Sequence, residues 1–159
     1  MRLFRKKKAP TRQPRDLNDA LNMMEAGFGP EGLAQMRNMS SEEFSAAIHM
    51  GTGMSVRNNW HLWWYEDHGY EAWPKKKPGL VAYFNSLGIY HADDISGILM
   101  KSFYRRVTGK PIDVEGQLPR YKNHWKGYGY KNGIYTPGQE PTEIPDESRF
   151  HLTFDEESE

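Results

Sequence analysis

The sequence predicts an all-α fold: a compact bundle of five or six short helices around a central helical hairpin, with disordered charged tails. Apolar residues recur at spacings of three and four in every apolar segment, and β-branched alternation is nearly absent. The stretch Leu80 to Lys110 adds start and stop signals for two successive helices to that period. It is the segment around which the rest of the chain is organised.

Length and charge set the outer limits. A chain of 159 residues has the size of one domain with a modest core. Formal net charge is zero, yet residues 1–15 hold seven Lys/Arg and no acid, whereas residues 140–159 hold eight acids against Arg149 alone. The reading is a basic mobile arm over 1–15, a single helical domain over 16–130, and an acidic, largely disordered tail over 131–159. Cysteine is absent, which excludes disulfides, thiolate metal sites and a Cys nucleophile. No apolar run reaches the length of a transmembrane helix, and the basic cluster Arg5-Lys6-Lys7-Lys8 is followed by polar sequence. A cytoplasmic location is the expectation.

Asp16 is placed to cap a first helix running to about Ala26 with Leu17, Leu21 and Met24 on one side. Gly27-Phe28-Gly29-Pro30 should end it, and Pro30 suits the first position of a second helix containing Leu33 and Met36. Ser40 and Glu43 form a capping box ahead of Phe44, Ala47 and Ile48. If that helix survives Gly51 and Gly53, His49, Gly53 and Arg57 share one side, with Gly53 a gap between imidazole and guanidinium. Trp60, Trp63 and Trp64 then read as a core stripe. Tyr65 to Gly79 is an irregular connection, whose Lys75-Lys76-Lys77 run reads as solvated and as a supplement to the basic arm.

In the central hairpin, Leu80, Phe84 and Leu87 form one face and Gly88 supplies a left-handed stop. Asp93 or Asp94 caps the next helix, which carries Ile95, Ile98, Leu99, Ser102, Phe103 and Arg106 on one face up to Gly109-Lys110-Pro111. Asp113 caps a last helix with Val114, Leu118, Tyr121 and Trp125 inward, and Pro119 should kink or divide it. Beyond lies the acidic tail, in which Phe150 to Phe154 reads as a short docking strand.

His49-x-Gly-x-Gly-x-x-Val-Arg-Asn-Asn-Trp60, then Gly88-Ile-x-His91-x-Asp93-Asp94-Ile-Ser96 and the Arg105/Arg106-x-x-Gly109-Lys run, form an ordered string of motifs. From about Leu33 to Trp125 the chain resembles a small bacterial and phage domain family of unknown function. The resemblance implies an all-helical fold and leaves activity open. Tyr65 to Gly79 reads as an insertion relative to that pattern.

The polar residues embedded in these apolar segments are the candidate site: His49, Arg57, Asn58, Asn59, His91, Asp93, Asp94, Ser96 and Arg106. Arg57 offers a guanidinium fork for a phosphate or carboxylate, or else a structural tie to the Asp93-Asp94 corner. Arg106, on an apolar face, must either snorkel or find a carboxylate. His91 with two aspartates is chemically suited to a metal or to acid–base work, but the spacing matches no ligand pattern, so no metal and no cofactor are expected. No catalytic arrangement is legible. The arm residues Arg5, Lys6, Lys7 and Lys8, with Lys75, Lys76 and Lys77, are available for basic contacts. The function read from the sequence is a non-catalytic binding or adaptor domain whose partner is another protein, with nucleic acid a further partner for the basic arm. The alternative is an enzyme or binder acting on a phosphorylated small molecule or nucleic acid through Arg57, His91, Asp93 and Asp94.

Overall fold

Capping and glycine chemistry divide the chain into helices much as the sequence predicts. A computed structural model describes residues 12–64, 77–136 and 138–141, except for the side chains of His49 and Met50. Among these residues there are six α-helices and no strand. Arg5, Lys6, Lys7, Lys8, Lys75, Lys76 and the Phe150 to Phe154 segment lie outside the described residues.

Helix α1 (Leu17–Arg37) starts at Asp16, whose Oδ1 accepts from the Asp19 N–H at 2.8 Å. The expected break falls at Gly29, which adopts φ 70°, and Pro30 follows it. The helix thus runs two residues beyond Ala26, far enough for Phe28 to stack on Phe103 at 5.4 Å. Helix α2 (Ser41–Ile48) has its capping box in place: Glu43 N–H donates to Ser40 Oγ at 3.1 Å and Ser40 N–H to Glu43 Oε2 at 2.8 Å. Both glycines of the next segment are accommodated in a π-helical turn (His49–Gly53) that leads directly into α3 (Met54–Asn59). The helical path survives them by widening.

The tryptophan stripe needs correction. Helix α3 ends at Asn59 and His61 takes a left-handed φ of 53°, so the chain turns before Trp63. Trp60 and Leu62 are buried, and Trp63 and Trp64 pack half-buried against the core from the turn. Helical period put the aromatics on one face; with the reversal at His61, Leu62 is buried as well as Trp60, and Trp63 and Trp64 are only half-buried.

Helix α4 (Gly79–Ser86) ends as expected, with Gly88 at φ 80°. Helix α5 (Ala92–Val107) is the centre of the bundle and packs on α1, α2, α3 and α6. Its residues Ile95, Ile98, Leu99, Ser102 and Phe103 have no exposed surface. Truncating a ring such as Phe103, which Phe28 and Phe44 cover, would cost about 3–5 kcal/mol. Helix α6 (Val114–Gly127) begins at Asp113, whose Oδ1 accepts from the Gly116 N–H at 3.1 Å, and it continues through Pro119 as one element. Of the two expected outcomes, a kink or a division, the division does not occur. Loss of one main-chain bond is offset by the packing of Leu118, Tyr121 and Trp125 on either side of the proline.

Both ends of the body are held more firmly than their composition implies. Arg12 grips Asp19 with two bonds of 2.6 and 2.8 Å, and this, followed by the Arg15 N–H, holds the Asp19 carboxyl far below the usual carboxylate range. Gln13 Nε2 donates to Asn59 O at 2.9 Å and the buried Pro14 accepts from Leu80 N–H at 3.1 Å. Residues 12–15 therefore form a strap across the bundle, and contact with the body starts before Asp16. Lys77 is partly buried: its Nζ donates to Asn85 Oδ1 at 2.9 Å and burial lowers its pKa. After α6, a 3₁₀ turn (Lys131–Gly133) folds Tyr135 back onto Trp125.

Gly79 is the point where strap and α4 touch, since a Cβ there would lie 2.7 Å from the Arg15 carbonyl oxygen. Gly79→Ala is expected to push the strap off α4 and destabilise the fold by about 1–3 kcal/mol. Urea denaturation with unchanged midpoint would refute this.

Candidate functional site

The N-terminus of α5 meets α3, α6 and the segment after α6, and five of the predicted polar residues converge there. His91 caps the helix: its Nδ1 accepts from the Asp93 N–H at 3.2 Å. This corrects the expectation that Asp93 or Asp94 is the cap. Both aspartates sit instead in the first turn, where the helix dipole favours their charge.

The two carboxylates diverge. Asp93 remains 59% exposed, with Oδ1 3.4 Å from Arg57 Nε and Oδ2 3.9 Å from His91 Nδ1. Arg57 Nη1 donates to Ser96 Oγ at 3.1 Å, and that hydroxyl donates to the Asp93 carbonyl at 3.0 Å. The guanidinium lies over Gly53, where a Cβ would stand 3.3 Å from Nη1. Gly53 thus leaves room for the guanidinium; the imidazole side of the expected gap falls on His49, whose side chain lies outside the described residues.

Asp94 points the other way and is buried. Trp125 Nε1 donates to its Oδ2 at 2.5 Å. Burial pushes its carboxyl up to about 6 against the opposing Trp125 bond, and the Asp93 charge adds to the rise. Gly97, one turn on, admits the Tyr121 hydroxyl, which would lie 2.5 Å from any Cβ there. Burial raises the pKa of that hydroxyl.

Three aromatic rings surround the His91 imidazole. Trp125 lies at 5.3 Å, and Tyr135 and Trp63 stand edge-on at 5.0 and 5.9 Å. Trp125 is itself packed by Tyr130 and Tyr135 at 5.4 and 4.5 Å. Burial lowers the His91 pKa; Asp93 opposes this, while His124 and Arg57 reinforce it.

The remaining candidates lie elsewhere. Asn58 and Asn59 are exposed, and Asn59 Nδ2 donates to Ser55 Oγ at 2.9 Å. Arg106 is near the far end of α5, about 15 Å along the axis from Ser96. There it binds Glu25 at 3.1 Å, Asn22 at 2.6 Å and Asn18 at 3.2 Å, which meets the expected need for a carboxylate. Among the described residues, no three His, Asp or Glu side chains are grouped to hold a metal ion, and no helix is long and apolar enough to cross a membrane.

A model of the family described as a domain of unknown function (DUF6794) matches residues 13–107. The chain belongs to this family. The DUF6794 region runs from the strap to the last residue of α5, so it contains Arg57, His91, Asp93, Asp94 and Ser96. Trp125 and Tyr135, which close the site, lie beyond it. No curated protein and no solved structure matches the chain.

Asp94 makes a prediction on pH. Its folded value of about 6 lies above the ordinary 3.8, so its ionised form costs stability at neutral pH, and that cost is relieved as pH falls through 6 toward 4. The shift sets an upper bound of about 3 kcal/mol. Asp94→Asn, which keeps an acceptor for Trp125, should be more stable than the natural chain at pH 7.5 and lose that advantage below pH 5. Urea titrations at the two pH values would show a constant difference if Asp94 were unperturbed.

Proposed function

We propose that this DUF6794 domain is a non-catalytic binding or adaptor module that works in the cytoplasm of a bacterium, or for a phage, with another protein as its partner. The observation that carries this reading is that the clustered polar groups are engaged with one another. Arg57 holds Asp93 and Ser96, Asp94 holds the Trp125 indole, and the His91 acceptor nitrogen holds the Asp93 amide. An acid–base or nucleophilic site needs a group within reach of a substrate and poised to exchange a proton. Here each of these groups is already bonded within the fold. The oppositely charged ends of the sequence supply accessory contacts for a partner, the basic arm among them with nucleic acid.

The alternative reading, recognition of a phosphorylated ligand by the Arg57 fork, makes the opposite prediction for one variant. If the fork is structural, Arg57→Ala lowers stability by about 1–2 kcal/mol. Most of this comes from the lost Ser96 bond and packing, because an ion pair with a half-exposed carboxylate contributes under about 1 kcal/mol. Thermal unfolding of the natural chain with pyrophosphate and with ATP should then show no stabilisation. Unchanged melting of Arg57→Ala, combined with a phosphate-dependent rise that this variant abolishes, would overturn the adaptor reading.

A further inference from the structure

His91 joins four pieces of the chain through one ring. Its Nδ1 caps α5, and its faces and edges meet Trp63 after α3, Trp125 of α6 and Tyr135 of the segment that follows α6. A nitrogen that accepts a main-chain N–H must be unprotonated, so this arrangement exists only with the neutral imidazole.

We propose that His91 is a proton-operated latch: protonation withdraws the cap from α5 and releases the Tyr130–Thr136 segment from the junction, uncovering Trp125. The inference stands apart from the adaptor reading and does not need it. A protonated Nδ1 carries a hydrogen that faces the Asp93 N–H, so an attractive contact becomes a repulsive one. The new charge also lies at the positive end of the α5 dipole. The charged and titratable groups that act on the ring are unevenly set: Arg57 from α3 and His124 from α6 oppose a cation, and Asp93 favours one. Asp93 Oδ2 is 3.9 Å away on a carboxylate that Arg57 already holds through Oδ1, so compensation requires loosening that pair as well. Asp94, on the same turn, is bonded to Trp125 on the other side.

The sign follows from burial. The docked imidazole has a pKa lowered from the ordinary 6.5, so docking is fully supported above 6.5 and is lost as pH falls through the lowered value. Asp94 works in the opposite sense near pH 6, stabilising the fold on protonation. Global melting mixes the two titrations, and a local readout separates them.

Amide hydrogen exchange of the full chain from pH 7.5 to 5.0, corrected for intrinsic rates, tests the latch. Protection of residues 130–136 is expected to fall roughly three- to tenfold, one proton giving at most tenfold per pH unit, while α1 and the C-terminal half of α5 hold. His91→Asn keeps a good capping side chain that does not titrate, and its 130–136 protection should be independent of pH. Asp94→Asn should retain the fall. Because losing the ring can itself loosen the segment, the His91 and Tyr135 ring resonances are also followed in the natural chain and in Asp94→Asn. They should move together with one midpoint below 6.5. Flat protection in the natural chain, an undiminished fall in His91→Asn, loss of the fall in Asp94→Asn, or separate midpoints for the two rings would each overturn the proposal.

Discussion

The first N–H groups of a helix have no partner within it, and in α5 they lie at a crowded junction. How these groups are satisfied shapes everything around them. An imidazole takes the capping place and leaves the first-turn aspartates free to bond sideways, one to Arg57 and one to Trp125. Through them the start of α5 is tied to α3 on one flank and α6 on the other. Had Asp93 been the cap, its carboxylate would have been occupied by the backbone, and the Arg57 fork would have lacked an ionic partner.

The same economy recurs at the other charged positions within the body. Arg106 sits on the inner face of α5 and is answered by Glu25, Asn22 and Asn18 from α1; Asp19 is answered by Arg12 and Arg15. An unpaired charge in such a place would be costly, and each of these charged groups has an opposite charge beside it. Asp94 is the departure. Its partner is a neutral indole, and burial raises its pKa.

Local chemistry made much of this legible in the sequence. Asp16, the Ser40/Glu43 box, Gly88 and Asp113 mark helix ends through bonds within a few residues, and each lies where spacing puts it. The neighbourhood of Arg57 and the Asp93 corner was also readable, because two polar clusters in apolar segments need one another. His91 as cap was less so, since imidazole is an uncommon capping group and two adjacent aspartates are the stronger signal. The strap escaped for a different reason. Arg12, Pro14 and Arg15 look like a solvated arm by composition, and only the fold shows that Asp19 and the α4 start await them. The contacts of Trp125 and Tyr135 with His91 are long-range ring geometry, which no periodicity carries.

The strap also bears on the order in which the molecule closes. The α4–α5 hairpin is built from neighbours in sequence and needs little chain closure, whereas Gln13 reaches Asn59 across 46 residues and Pro14 meets Leu80 across more. Pairings of that reach pay more chain closure than local ones, and apart from Pro14 the strap buries no apolar side chain, so it is placed to open locally before the helices do. A protease cutting after Arg12 or Arg15 would therefore sample a brief local opening and measure the strength of the strap, while the helical body behind it stays folded.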